Sequence, residues 1–167
     1  MAKTTASLIT EISGRGVATI TMCRADVHNA FDDELIDRLR RELQGLENDP
    51  TVRVVVLAAE GKSFSAGADL NWMKRMAAYD RAENLEDAKN LGKLMAVLFR
   101  MRQPTVAVVQ GPAYGGGVGL VACCDIAIAS ENAHFCLSEV RLGLIPAHCI
   151  GNAREPACHN TQVLYRT

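Results

Sequence analysis

The sequence predicts an α/β fold, and three observations predict it. Apolar runs of strand length recur along the 167 residues: "VATITM", "VRVVVLAAEG", "TVAVVQG" and "CDIAIAS". Stretches that place their apolar residues on one helical stripe separate these runs. Several of the runs are nearly continuous in aliphatic residues, which is how strands of a covered parallel sheet read. Strands alternating with helices define the α/β class.

Each element follows from its own pattern. Val17 to Met22 alternates and reads as a strand. In "NAFDDELIDRLRRELQGLENDP", Leu35, Ile36, Leu39, Leu43 and Leu46 fall on one stripe. Asp32, Asp33 and Glu34 sit near its start, where the positive end of the helix dipole favours them, and Asp49-Pro50 ends it. "VRVVVLAAEG" predicts a strand buried on both faces. "KSFSAGADLNWMKRM" is a loop around Gly67 that leads into a helix. A second amphipathic helix follows, using Leu91, Met95 and Leu98, with Pro104 beyond its end. "TVAVVQG" is a further strand. After it come the glycines Gly115 to Gly117 and Gly119, a short apolar helix, and the strand "CDIAIAS". From Ala147 onward, "AHCIGNAREPACHNTQVLYRT" has neither a helical nor a strand period and few apolar residues.

Composition narrows the function. Apolar residues make up 49% and charged residues 22%, ordinary values for a globular protein. A formal net charge of −1 and scattered aromatics offer nucleic acid neither a basic surface nor a stacking platform. No apolar stretch has the length of a membrane span. The first residues, "MAKTTASLITEISGRG", lack a long apolar segment and read as mature chain rather than signal peptide. Cys123 and Cys124, adjacent in an apolar run, read as buried thiols of a reduced, cytoplasmic protein. His148-Cys149 and Cys158-His159 lack the C-x-x-C spacing of a zinc knuckle, so no metal is expected.

The glycine run invites several readings. Gly117 to Ala122 fits the dinucleotide pattern G-x-G-x-x-A, with Glu139 at about the expected distance, but Gly111 to Tyr114 separates the strand from the glycines and the tight turn is lost. "GKS" at Gly61 to Ser63 has Val56 where a phosphate loop needs glycine. No serine lies in G-x-S-x-G. The glycines could also serve only close strand-to-helix packing. A fuller account uses two loops together. A helix N-terminus bares backbone N–H groups, and glycine lets a ligand atom approach them. A second amide from the "AGAD" turn could converge on the same atom. Two convergent N–H donors make an oxyanion hole, suited to a carbonyl that becomes an enolate.

In order and spacing, "RADVHNAF", "SFSAGADL", "QGPAYGGGVGLVACCDIAIAS" and "FCLSEVRLGLIPA" resemble the enoyl-CoA hydratase/isomerase, or crotonase, superfamily. The resemblance covers Ser7 to Pro146. Its texture is most similar to the bacterial methylglutaconyl-CoA or carboxygeranoyl-CoA hydratase branch, associated with leucine or acyclic terpene catabolism. It implies a crotonase-like ββα spiral core and an acyl-CoA thioester substrate, with coenzyme A as part of the substrate and no separate cofactor. The oxyanion donors it implies are the backbone N–H groups of Ala68 and Gly116. Glu139 matches the family's second glutamate and is the implied acid/base. The first glutamate usually stands two positions after the glycine triplet, where this chain has Gly119. A single carboxylate can still shuttle a proton between two carbons, as the isomerase branch does.

The same resemblance places coenzyme A against Arg24, Ala25 and Val27 in the first loop, and against Ala66, Asp69 and Leu70 in the second. Gly115 and Gly119 flank the oxyanion amide. Arg24 is expected to meet phosphate. His28 and His134 read as structural or exposed. Trp72 and Met73 either line the acyl pocket or pack in the core. Family members normally continue for about another hundred residues, which close the pocket and build a trimer or hexamer. The expectation is therefore a C-terminally truncated core over residues 1–146 with an aberrant tail over 147–167. Four outcomes stay open: hydratase, single-glutamate isomerase, a fragment without activity, or a CoA-binding or interaction module with a degraded site.

Overall fold

The computed structural model describes residues 7–138, Val140 and the backbone of 162–166. Glu139 and the His148, Cys149, Cys158 and His159 group lie outside the described residues. The main sheet contains β1 (Leu8–Ile12), β2 (Val17–Met22), β3 (Val54–Ala59), β4 (Thr105–Val109), β6 (Ile126–Ser130) and β8 (Gln162–Arg166), in the order β1-β2-β3-β4-β6-β8. β1 and β2 form an antiparallel hairpin, and every later pairing is parallel. A short second sheet pairs β5 (Ala113–Tyr114) with β7 (Phe135–Cys136). The crossovers are helical: α1 (Asp33–Glu47) joins β2 to β3, α2 (Leu70–Met76) and α3 (Arg81–Phe99) join β3 to β4, and α4 (Gly116–Cys123) precedes β6.

The α1 stripe folds as its spacing requires. Leu35, Ile36, Leu39, Leu43 and Leu46 are all buried, and the Asp32 carboxylate accepts the Leu35 N–H at 2.8 Å to cap the helix. α3 starts on a capping box, in which Asp80 and Glu83 each accept the other's backbone N–H at 2.9 Å. Its buried side chains are Leu91, Leu94, Met95 and Leu98, which pack with α1. α4 is apolar throughout and lies in the core, with Cys123 Sγ 3.9 Å from Met95 Sδ. Burial pushes the Cys124 thiol well above the usual thiol range.

Two expectations change here. β3 is not buried on both faces: Val55 and Leu57 are buried, whereas Val54, Val56 and Ala58 are half-buried. The same outward row continues through Val106 and Ile126, and Val108 is 38% exposed. Both faces carry aliphatic residues, so the sequence alone hides the alternation. The second change is in the tail, where 162–166 form a parallel edge strand beside β6. Main-chain hydrogen bonds to an existing sheet edge make that strand, and these need no side-chain period.

Truncating Leu39, a fully buried core residue of α1, is predicted to cost about 2–5 kcal/mol. Urea unfolding of Leu39→Ala checks this as a lower transition midpoint with the slope unchanged.

Candidate active site

Two loops meet at the ends of β3 and β4. Residues 60–69 leave β3 and enter α2; residues 110–115 leave β4 and enter α4. Short parallel bridges stitch them together. Ser65 pairs with Ala113, and the Tyr114 N–H donates to the Ser65 carbonyl at 2.8 Å. Phe64 N–H donates to Pro112 O at 2.9 Å. Phe31, from the loop before α1, pairs with Ala68: its N–H donates to Gly67 O and its carbonyl accepts the Asp69 N–H, both at 2.7 Å.

Glycine permits this closeness. Gly67 adopts φ +83°, and a Cβ there would lie 3.1 Å from the Tyr114 carbonyl oxygen. A Cβ on Gly117 would lie 2.8 Å from Ser65 Cβ, and one on Gly116 2.9 Å from the Phe31 ring. The backbone at Gly67 therefore lies directly against Tyr114 and Gly115, one residue from each candidate donor.

The hydrogen-bond pattern leaves those donors open. In the first loop, Ala66 N–H donates to His28 O, Gly67 N–H to Ser65 Oγ, and Asp69 N–H to Phe31 O. Ala68 N–H finds no acceptor among the described residues, and Ala68 is exposed between buried Gly67 and buried Asp69. In the second loop, Gly115 N–H donates to Cys136 O at 3.0 Å, and the Gly115 carbonyl accepts the Val118 and Gly119 N–H groups. Gly116 is the first residue of α4, and its N–H likewise has no acceptor among the described residues. As a first-turn amide it has no intrahelical partner and sits at the positive end of the helix dipole. Two neighbouring open amides can stabilise a carbonyl oxygen that gains negative charge.

The remaining predicted residues divide. Ala66 and Leu70 are exposed beside Ala68, and Leu70 is 73% exposed at the start of α2. Ala25 and Val27 lie in a 3-10 turn, with Ala25 close enough to Gly61 that a Cβ there would lie 2.7 Å from Ala25 Cβ. Gly119 is buried one turn into α4 and carries no side chain toward the loops. His28 bonds Ser63 Oγ through Nδ1 at 3.1 Å and is exposed; His134 is exposed as well. Trp72 packs in the core and donates from Nε1 to Asp87 at 3.3 Å, while Met73 is half-buried.

Arg24 stands differently from its expected phosphate role. Its guanidinium contacts Ala30 O at 2.7 Å, Asp32 Oδ2 at 2.8 Å and Asp69 Oδ2 at 3.3 Å. Asp69 in turn caps α2, accepting the Asn71 N–H at 2.8 Å and the Trp72 N–H at 3.3 Å. Asn29, fully buried at φ +52°, accepts the Arg24 N–H and donates to the Glu60 and Ser63 carbonyls. Sequence reasoning missed Asn29, Phe31 and Ser65. The signal for Asp69 was present, since an aspartate just before a helical run is an N-cap.

The fold is an α/β core in which the loops carrying the Ala68 and Gly116 amides are bonded to one another. The enoyl-CoA hydratase/isomerase family model matches residues 13–155, and the chain belongs to that family. It is 37% identical to the 2,3-dehydroadipyl-CoA hydratase of Escherichia coli over 78% of this chain and 49% of that protein. It is 35% identical to a 4-chlorobenzoyl coenzyme A dehalogenase of Arthrobacter over 77% of this chain and 47% of that one. The crystal structure of an enoyl-CoA hydratase from Shewanella pealeana superposes with a TM-score of 0.82 at 48% identity, covering 85% of this chain and 53% of the other. The chain thus spans about half the length of the curated relatives it matches.

Gly67→Ala forces a Cβ onto a positive-φ residue that already touches Tyr114 O. A loss of at least 1 kcal/mol in stability is expected, together with disturbed amide chemical shifts at both Ala68 and Gly116 in an NMR spectrum. A spectrum altered at Ala68 alone would contradict the coupling of the two loops.

Proposed function

We propose that this chain hydrates a 2-enoyl-CoA thioester through an enolate held by the Ala68 and Gly116 amides. The observation that carries this reading is the pair of neighbouring backbone N–H groups left open where two glycine-dependent loops meet. The thioester oxygen would sit against both. As water oxygen adds to C3, the C2=C3 electrons move toward the carbonyl, and the negative charge gathers on that oxygen. In this reading Glu139 takes the proton from the water and returns it to C2, so that one water is added and no charge remains. Coenzyme A belongs to the substrate, and no further cofactor is invoked.

One observation favours a second reading. Gly119 supplies no carboxylate from α4, so Glu139 would act without a partner. A single carboxylate that removes a proton from C2 and delivers it to C4 isomerises a 3-enoyl thioester with no water involved. The methylglutaconyl-like acyl group and its setting in leucine catabolism belong to the same proposal and rest on motif texture, assembly as a trimer or hexamer rests on the family resemblance, and a cytoplasmic location rests on the cysteine usage.

The test compares two variants at one position. Gly116→Ala and Gly116→Pro both bring a Cβ against the Phe31 ring, but only proline removes the N–H, at a first-turn position that tolerates it. With enoyl-thioester absorbance as the readout, the proline variant is expected to turn over about 10²–10³-fold more slowly than the alanine variant. Equal rates would overturn the oxyanion assignment. Product mass separates the two chemistries: hydration adds one water, isomerisation adds nothing.

A further inference from the structure

Arg24 is ion-paired to Asp69, the residue after Ala68, and its surroundings do not suit a phosphate. It faces two carboxylates, Asp32 at 2.8 Å and Asp69 at 3.3 Å, and the Ala30 carbonyl at 2.7 Å. One guanidinium between two aspartates leaves a local formal charge of −1, which repels an incoming phosphate. Its backbone is fixed as well, since Asn29 Oδ1 accepts the Arg24 N–H at 2.9 Å from a fully buried site. Both ends of the residue are therefore already committed to the protein.

Those commitments lead to Ala68. Asp69 Oδ2 meets Arg24, while Asp69 Oδ1 holds the first N–H groups of α2, at Asn71 and Trp72. The Asp69 N–H and the Gly67 carbonyl are both held by Phe31. Asp32, on the other side of Arg24, caps α1. The guanidinium thus joins the starts of two helices, and the peptide bearing the Ala68 amide lies between Gly67 and Asp69, which are both tied. A planar fork reaching several acceptors in fixed directions is what arginine supplies and lysine does not.

We propose that Arg24, acting through Asp69, is a positioning residue for the Ala68 amide and not a coenzyme A phosphate ligand. The catalytic part of this inference rests on the oxyanion reading above. Misplacement of a donor by about 1 Å can cost on the order of 10²-fold in rate, so loss of Arg24 should act on turnover more than on binding.

Kinetics of the full 167-residue chain with a 2-enoyl-CoA and with the matching 2-enoyl-pantetheine thioester, which has no phosphate, separate the roles. Arg24→Gln is expected to lower kcat at least tenfold with both substrates while KM moves less than twofold. Asp69→Asn should lower kcat too, and the double variant should fall no further than Arg24→Gln alone. Arg24→Lys should recover part of the loss, and it stands in if the glutamine variant does not fold. A raised KM confined to the CoA thioester would assign Arg24 to phosphate and overturn the proposal. Amide hydrogen exchange on the unliganded chain decides independently of turnover. Exchange at Asp69, Asn71 and Trp72 should quicken at least tenfold in Arg24→Gln with β3 unchanged; unaltered exchange would overturn the proposal. A parent chain that converts neither thioester yet shows this exchange pattern removes the hydratase reading and leaves the positioning role standing.

Discussion

The site depends on how closely two stretches of main chain approach each other. Gly67 lies against the Tyr114 carbonyl, where a Cβ would come within 3.1 Å of its oxygen, and Gly117 lies closer still to Ser65, where a Cβ would come within 2.8 Å. Main-chain bonds between Ser65 and Tyr114, and between Phe64 and Pro112, hold the loops at that distance. Ala68 and Gly116 then become neighbours because each is adjacent to a glycine that made the approach possible. A Cβ at Gly117 would lie 2.8 Å from Ser65 Cβ, and one at Gly67 3.1 Å from the Tyr114 carbonyl oxygen at a strained positive φ, so either substitution disturbs the contact between the loops.

The surrounding fold supplies the rigidity that such a contact needs. The loops leave adjacent parallel strands, β3 and β4, at their C-terminal ends, where open α/β sheets place ligands. α4 runs back into the core behind Gly116 as a wholly apolar helix. Its burial fixes the direction in which the first-turn amides point. Phe31 links the arrangement to α1, meeting Ala68 with its backbone and Gly116 with its ring. One aromatic residue thus touches both halves of the candidate oxyanion hole. Ser65 adds a buried polar joint, since its hydroxyl donates to Asn29 O and accepts the Gly67 N–H. Its neighbours Gly67 and Asp69 both spend their N–H groups within the protein, whereas the Ala68 N–H has no acceptor among the described residues.

Much of this was legible in the sequence. Periodicity located β2 and α1, and nearly continuous apolar runs located β3, β4 and β6. The glycine cluster and the "AGAD" turn marked the two loops, since glycine beside a strand end signals backbone contact. Other features left no local signal. The outward row of β3 looked buried because its residues are aliphatic, although Val54 and Val56 are only half-covered. The edge strand at 162–166 pairs through main-chain atoms, so side-chain pattern did not announce it. Arg24 was read from its neighbours in sequence, whereas its contact with Asp69 reaches a partner 45 residues away. Asn29 was invisible for the same reason: its three side-chain bonds reach Arg24, Glu60 and Ser63 through a fold that composition does not reveal.

The central claim is electrostatic: the two open amides polarise a thioester carbonyl. Difference infrared spectroscopy of a carbonyl-labelled, non-reactive conjugated acyl-CoA bound to the chain reads this directly. If Ala68 and Gly116 both donate to that oxygen, its stretching frequency falls below the value in water, and the fall is smaller in Gly116→Pro than in Gly116→Ala. A bound thioester that keeps its aqueous frequency would contradict the account.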